Sequence, residues 1–446
     1  MSSGATHDPD DLRELAALAE GAQGAFPVVG FLGPGGVLTV PVDDRTVTTV
    51  RLDIRDQFLH LQSIELTGPH GEDLTKGAIV TASSWYGRYG DRFDPAVLFD
   101  FAHPTGTQVH TEQDAVSWVE IRLARPSKLT RIRLRNVSLP TATRAQKLRV
   151  STRGRFGLTT VHFDGAEESR SMRLWLARRA DDAGLSPVAK SLIPTLELTL
   201  TGQYPAAVKA LKNVRDLDDS THSAFRALVN AELLPARELL WTIHGPHRSF
   251  RFWTPNEQAA YVSLAVELAD TLRELTPHVS FGFGAVLSVI RDKALIPHDD
   301  DLDLVIGFEP EEAATLAEGL ALVESFLAER GWATRGAWSA HRQVGRANGK
   351  RVDVFVGLFE GEKISWYPGP RGTITRTMMY PTGVAPLLGI ECPVPAQPEA
   401  YLEAVYGPGW NRSDPNFRHT WNRSAYADLA GSTTKGPGGE AGATTG

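Results

Sequence analysis

Residues 299–308 read DDDLDLVIGF, so a run of aspartates leads directly into an apolar stretch. Burying a carboxylate in such a strand is costly unless another group compensates its charge. In a strand, Asp301 and Asp303 point to one side, whereas Leu302 and Leu304 point to the other. Two adjacent carboxylates repel each other unless a cation lies between them, and a ligand set made only of oxygens suits Mg²⁺ or Mn²⁺ better than zinc. The segment therefore predicts a divalent-cation site.

A further acid occurs in the same kind of setting later in the chain. Asp353 stands within KRVDVFVG, residues 350–357, between valines. Two acids on one strand and a third on a neighbouring strand form the metal platform of the nucleotidyltransferase fold. The alternative interpretation is that residues 299–303 form a solvated turn and that Asp353 is a charge at a strand edge.

Residues 284–303, GAVLSVIRDKALIPHDDDLD, resemble the signature of the LicD/fukutin family, approximately G-T-L-L-G-x-x-R-x-x-x-x-I-P-W-D-D-D-[IL]-D. The later V-D-[IV]-F strand and the closing P-x-P and Y-L-x-x-x-Y-G-x-x-W motifs of that family also occur, so the resemblance spans roughly residues 255–425. Ser288 replaces the usual second glycine and His298 the usual tryptophan, both in the donor-facing motif. The matching positions are Gly284, Leu287, Arg291, Ile296, Pro297, Asp299, Asp300, Asp301 and Asp303.

The resemblance implies a phosphotransferase that moves a substituted phosphate from a CDP-activated donor to a sugar or polyol hydroxyl. Phosphocholine and polyol phosphates are the implied cargo, and a cell-surface glycan or its lipid-linked precursor is the implied acceptor. Asp301 and Asp303 would bind Mg²⁺ or Mn²⁺, and Asp353 would either complete the metal site or accept the acceptor's proton. The implied donor-binding residues are Gly284, Ser288, Arg291, Lys293, Asp299 and Asp300.

Two other functions stay open at this point. A nucleotidyltransferase could use the same acids to place a nucleoside monophosphate on a small molecule. A glycan-binding adaptor could carry a catalytic domain that is inert, although the presence of all three acids argues against it.

The N-terminal part of the chain, residues 36–163, is rich in short β-branched segments that alternate apolar and polar residues. This pattern predicts a β-sandwich. Three segments, TASSWYGRYG (81–90), WVEIRLARPSKLTRIRLRN (118–136) and LRVSTR (148–153), resemble the discoidin, or galactose-binding-like, sandwich. Because aromatic faces stack on pyranose rings, that resemblance makes the first loop a candidate glycan site; the alternative is that its aromatics pack the loop onto the protein. The candidate residues are Trp85, Tyr86, Arg88 and Tyr89.

The sequence predicts an α+β protein of several domains. Between the two regions above, residues 166–250 show helical spacing, and Thr254, Pro255 and Glu257 predict the capped start of a further helix. The predicted divisions are a leader (1–35), a jelly-roll β-sandwich (36–165), a helical connector (166–253), a catalytic α/β domain of the nucleotidyltransferase fold (254–428) and a disordered tail (429–446).

Composition excludes several classes of protein. The 446 residues carry a net charge of −7 without a concentration of Lys and Arg, which argues against a nucleic-acid partner. Cys392 is the single cysteine, so no intrachain disulfide can form, as in a reducing compartment. The N-terminus does not read as a signal peptide, and no run of 18 apolar residues predicts a transmembrane segment. We therefore expect a cytoplasmic protein, with possible peripheral association at the inner face of the membrane.

Overall fold

The chain folds into two compact units, Met1–His247 and Arg248–Gly446, each with its own buried apolar core. The structure is a computed structural model. It describes residues 9–32, 36–136, 141–214, 217–242, 245–336, 341–347, 349–414, 417, 419 and 422–430. Of the predicted tail, residues 431–446 lie outside this part of the chain. None of the helices that the structure describes is both long enough and apolar enough to cross a bilayer.

The first unit is rich in β-structure, as the alternating pattern predicts. Val119, Ile121 and Leu123 are buried, while Glu120 and Arg122 between them are more exposed. An antiparallel sheet has the order β3-β6-β1-β7-β8, with β4 also paired to β6, and β2 pairs with β5 and β9 with β10. The jelly-roll topology stays a prediction. The strands are β1 (Val37–Arg55), β2 (His60–Leu61), β3 (Ser63–Thr67), β4 (Ile79–Ala82), β5 (Val109–His110), β6 (Val116–Arg135), β7 (Arg149–Gly154), β8 (Thr159–Asp164), β9 (Leu240–Thr242) and β10 (Gly245–His247).

Helices of the first unit share one core with this sheet. Leu15 and Ala19, in the segment expected to be a leader, are fully buried, and so are Leu176 and Leu196 in the expected connector. The structure differs here from the sequence-based division, because the partner of an amphipathic helix lies far away in the chain. The helices are α1 (Pro9–Ala25), α2 (Pro27–Gly30), α3 (Tyr89–Arg92), α4 (Pro95–Leu98), α5 (Gly165–Asp182), α6 (Pro187–Leu200), α7 (Tyr204–Asn213) and α8 (Asp219–Glu232).

The second unit is built around a mixed sheet of order β11-β12-β15-β14-β13, with β16 also paired to β15, and a separate β17-β18 ribbon. The β12-β15 pair is parallel, whereas the other pairs in this sheet are antiparallel. The strands are β11 (Val279–Gly282), β12 (Asp303–Phe308), β13 (Ala333–Arg335), β14 (His341–Gly345), β15 (Arg351–Glu360), β16 (Lys363–Ser365), β17 (Gly383–Leu387) and β18 (Ile390–Val394).

Helices of the second unit pack against strands β11, β12 and β15 of this sheet. The predicted capping box is present, since Thr254 accepts a hydrogen bond from the Glu257 amide and the Glu257 side chain accepts one from the Thr254 amide. A π-helical turn at Ser288–Asp292 continues the short helix that follows β11. The helices are α9 (Pro255–Arg273), α10 (Phe283–Leu287), α11 (Leu316–Glu329), α12 (Arg376–Met379) and α13 (Pro398–Tyr406).

Candidate active site

The parallel pair β12-β15 brings together the three acids singled out from the sequence. Its register sets Asp303 directly opposite Asp353. Asp301 lies two residues before β12, and each of the three residues offers a carboxylate oxygen within 4.8 Å of the others. A cluster made only of oxygen donors matches the preference of Mg²⁺ and Mn²⁺, so these residues can hold such an ion.

The loop before β12 carries a second group of acids. Asp299, Asp300 and Asp301 also offer oxygens within 4.8 Å of one another. Backbone hydrogen bonds fix this loop, since the Phe250 amide donates to the Asp299 carbonyl over 2.7 Å and the Arg251 amide donates to the Pro297 carbonyl over 3.1 Å. The acids are therefore held at an ordered turn and do not depend on β12 alone for their position.

Burial and mutual repulsion raise the pKa values of the clustered acids. Burial is the largest cause for Asp303, whose pKa lies well above its ordinary value, and Asp301 and Asp353 add to the rise. Burial also raises the pKa of Asp353 to about 7, with a further contribution from Asp301 and an opposing one from a hydrogen bond to Gln343. The pKa of Asp299 is likewise raised, by burial and then by Asp301. A divalent cation would relieve this repulsion, so the electrostatics fit a metal site.

A single buried hydroxyl, that of Tyr261 on α9, connects the two segments that carry the acids. Its oxygen accepts a hydrogen bond from the Leu302 amide over 3.1 Å, and its O–H donates to the Arg351 carbonyl. Leu302 stands between Asp301 and Asp303, and Arg351 begins the strand of Asp353. Sequence reasoning missed this role, because a tyrosine in the apolar stripe of a helix has the signature of a core residue.

Two glycines, Gly282 and Gly284, allow the turn after β11 to lie close to β12 and to the aspartate loop. A Cβ on Gly284 would lie 2.7 Å from Asp299 Oδ2, and one on Gly282 would lie 2.7 Å from Val305 Cγ2. Between them Phe283 has a φ of +40°, and its amide donates to the Tyr401 hydroxyl over 2.9 Å. The turn from β11 into α10 is therefore packed directly against the aspartate loop.

Residues 280–397 match the family described as LicD/FKTN/FKRP, nucleotidyltransferase domain, a range that includes Asp301, Asp303 and Asp353. This segment is a LicD-family domain. The match relates this segment, in a general sense, to a family of transferases that modify glycans.

Other comparisons add little to this assignment. A search of curated proteins gives no match. The solved structure of ANT(2")-Ia in complex with adenylyl-2"-tobramycin aligns over 33% of this chain and 72% of that chain, at 14% identity and a TM-score of 0.24. This likeness is too slight to indicate a shared fold.

The predicted donor-binding residues differ in their hydrogen bonds and in their exposure. Arg291 forms a bidentate pair with Asp292, at 2.8 and 2.9 Å, and donates to the Trp410 carbonyl over 3.1 Å. Ser288 is buried, and its carbonyl accepts a hydrogen bond from the Ala294 amide. Lys293, by contrast, is exposed and adopts a φ of +53° at the end of the π-helical turn. Arg291 thus fixes this turn, while Lys293 points its charge outward.

Strand β14 of the LicD domain adds polar groups that sequence reasoning did not select. His341 Nε2 lies 3.4 Å from Asp353 Oδ2, and burial lowers the pKa of His341 to about 4, with a further contribution from Arg342. Gln343 is the register partner of Asp353. Arg342 itself is buried and paired with Glu324. Alternation along β14 is the signal that could have indicated His341 and Gln343 as residues of one face.

In the first unit, the predicted glycan loop borders a cavity of about 450 Å³. Tyr86 stacks on His110 with ring centres 4.4 Å apart, and Tyr89 meets the same ring edge-on at 4.7 Å. Trp85 packs on Phe93 instead, at 4.8 Å. The packing alternative therefore describes Trp85 and also one side of Tyr86 and of Tyr89, while Arg88 is exposed beside the cavity. The cavity is lined by Tyr86, Gly87, Arg88, Tyr89, Arg92, Thr107 and Gln108.

Proposed function

We propose that this protein is a metal-dependent phosphotransferase that moves a substituted phosphate from a CDP-activated donor to a hydroxyl of a cell-surface glycan or its precursor. The proposed setting is the cytoplasm, at the inner face of the membrane. The observation that carries the proposal is the cluster of Asp301, Asp303 and Asp353 within a LicD domain. Phosphoryl transfer depends mostly on positioning and on charge neutralisation, which such a cluster can provide.

In this proposal Asp301, Asp303 and Asp353 hold Mg²⁺ or Mn²⁺. When bound, the ion supplies positive charge to the donor's diphosphate and to the departing CMP. We assign Asp353 to the metal site and not to proton transfer, because its register position opposite Asp303 and its hydrogen bond from Gln343 fix its carboxylate inside the cluster. His341, with its pKa lowered to about 4, is neutral near pH 7 and adds no charge that would compete with a cation.

The donor would lie along the turn from Gly284 to Lys293. Exposed Lys293 would contact a donor phosphate, and Arg291 would support the turn through Asp292 and Trp410. Gly284 leaves room for the Asp299 carboxylate, which together with Asp300 would border the donor, and buried Ser288 would support the turn from inside the domain. Phosphocholine and polyol phosphates remain the cargo to be tested.

The acceptor glycan would bind at the cavity beside Tyr86 and Tyr89. A saccharide could stack on the part of Tyr86 that His110 leaves exposed and accept hydrogen bonds from Arg88. Such binding would be weak by itself, and linkage to the LicD domain would compensate for this by raising the local concentration of the acceptor. We expect Arg88→Ala to raise the apparent KM for a polymeric acceptor and to leave a short soluble acceptor unaffected. Arg178→Ala, at an exposed position on α5, is the matched control.

The test is a screen of CDP-choline, CDP-ribitol and CDP-glycerol with Mg²⁺ or Mn²⁺, in which CMP release is measured by chromatography. The proposal expects CMP from at least one donor and its loss on removal of the metal. Pyrophosphate released from a nucleoside triphosphate with a small-molecule acceptor would instead identify a nucleotidyltransferase. Glycan binding without turnover of any donor would identify an adaptor.

A further inference from the structure

The hairpin between β7 and β8 exposes two large apolar side chains at its tip. Phe156 is 97% exposed and Leu158 is 71% exposed. Val161, further along β8, is exposed as well. Large apolar side chains exposed together on a folded surface are typical of contact with a membrane or another molecule, and Phe156 and Leu158 lie two positions apart on one turn.

This tip is an ordered turn. The Gly154 amide donates to the Leu158 carbonyl over 2.9 Å, and the Gly157 amide donates to the Gly154 carbonyl over 3.0 Å. Gly157 has a φ of +81°, a conformation that favours glycine. The backbone therefore holds Phe156 and Leu158 outward in a fixed arrangement.

Beside the tip lies a cavity of about 330 Å³ that combines cationic, hydroxyl and apolar groups. Its charged lining residues are both arginines, Arg45 and Arg155. Arg45 also lies 3.9 Å from exposed Asp43, a weak surface pair. The rest of the lining is Thr46, Val47, Thr152, Gly154, Phe156, Leu158 and Thr160.

Further positive charge lies at the same end of the sheet. The register pairs Val47 with Gly154 on one side and with Ser127 on the other, so the part of β6 around Ser127 lies across β1 from the hairpin. Arg125 and Lys128 in that part of β6 are exposed. At this end the basic residues Arg45, Arg125, Lys128 and Arg155 outnumber exposed Asp43, although the whole chain carries a net charge of −7.

We propose that this hairpin docks on the surface of a bilayer that contains anionic phospholipid. Phe156 and Leu158 enter the boundary between headgroups and acyl chains, as apolar side chains of interfacial segments do. Arg45 and Arg155 contact lipid phosphates, and Arg125 and Lys128 add longer-range attraction. This inference deepens the membrane setting named in the proposed function by assigning a surface to it, and it does not depend on the proposed reaction.

The experiment measures cosedimentation of the full chain, without donor or metal, with phosphatidylcholine vesicles that contain roughly 30% phosphatidylglycerol. Phe156→Ser/Leu158→Ser should lower the vesicle partition coefficient about tenfold or more. Arg45→Glu/Arg155→Glu should lower it as well, and added salt should weaken binding of the wild-type protein. The matched controls, Leu174→Ser and Arg178→Glu at exposed positions on α5, should bind as the wild type does.

Several results would overturn the proposal. These are retained binding by Phe156→Ser/Leu158→Ser, equal binding to pure phosphatidylcholine, and full competition by inorganic phosphate, which would indicate a site for the free anion. A wild-type dimer that ignores vesicles and that Phe156→Ser/Leu158→Ser dissociates would assign the surface to a second copy of this chain. Because both residues are exposed, circular dichroism should show unchanged folding in these variants.

Discussion

Asp303 stands at the start of β12 with its carboxylate among those of Asp301 and Asp353. Asp303→Asn removes a carboxyl whose ionisation this cluster opposes, so we expect a higher melting temperature without metal at alkaline pH, where that carboxyl would ionise. Loss of a ligand should at the same time abolish the stabilisation by Mg²⁺ and lower CMP release about a hundredfold or more. Thermal unfolding with and without metal, and turnover, measure these effects.

Asp270→Asn is the matched control for that variant, since Asp270 is exposed on α9 and pairs with Arg273. It should retain both metal-induced stabilisation and turnover. An Asp303→Asn protein that is active in metal-free buffer would contradict the assignment of the cluster.

The raised pKa of Asp353 also predicts how stability depends on pH. Between the ordinary value of 3.8 and about 7, the folded protein binds a proton at Asp353 that the unfolded chain releases. Its contribution to the free energy of unfolding is therefore full below that window and is lost as pH rises through about 7. His341 acts in the opposite direction between about 4 and 6.5, so the informative quantity is the difference between wild type and Asp353→Asn.

Chemical denaturation in EDTA across this pH range measures that difference. Stability of the wild type should fall relative to Asp353→Asn as pH rises, and added Mg²⁺ should remove the trend. Parallel pH profiles of the two proteins would mean that Asp353 is not held protonated by its surroundings.

At the scale of elements, α9 positions the acids through the hydroxyl of Tyr261. Tyr261→Phe removes the bridge between the Leu302 amide and the Arg351 carbonyl, at a cost of about 1 kcal/mol in stability. Because the bridge sets the spacing of the two acidic segments, metal affinity and turnover should fall by more than the loss in stability explains. Metal titration and kinetics measure this.

Tyr426→Phe provides the comparison for Tyr261→Phe, since the Tyr426 hydroxyl donates to the Gly369 carbonyl in the same unit. It should lower stability by a similar amount and leave turnover unchanged. Equal turnover losses in both variants would show that Tyr261 acts only through general stability.

Local sequence patterns predicted those features that depend on neighbouring residues. Alternation identified the buried face of β6, the capping box at Thr254 located the start of α9, and acids in apolar strands indicated the cluster. Contacts between residues far apart in the chain could not be predicted from local patterns. The hydroxyl of Tyr261, for example, bonds to backbone atoms 41 and 90 positions away. The packing of α1 onto a core of remote strands was missed for the same reason.

At the scale of the whole molecule, the presence of two separate apolar cores predicts that the second unit can fold without the first. A fragment that begins at Arg248 keeps its complete apolar core, so it should unfold cooperatively and retain hydrolysis of the CDP donor. Loss of the first unit should raise the apparent KM for a polymeric acceptor. Thermal unfolding and donor hydrolysis measure both parts.

A fragment that begins near residue 165 is the contrasting case. It keeps α5 to α8 but lacks the sheet on which their apolar residues pack, so we expect aggregation or partial unfolding. If that fragment is as soluble and cooperative as the shorter one, residues 165–247 do not depend on the sheet for their fold.

Cys392 is the single cysteine of the chain and is fully buried, and burial raises its pKa to about 11. Because the thiolate is the form that reacts with maleimides, this thiol is protected at neutral pH both by exclusion and by protonation. A cysteine introduced at exposed Thr159, next to the hairpin tip, would therefore be labelled selectively while the native residue stays in place. The fluorescence of a polarity-sensitive dye at that position would then show whether the surroundings of Phe156 are aqueous or apolar, without replacement of the native cysteine.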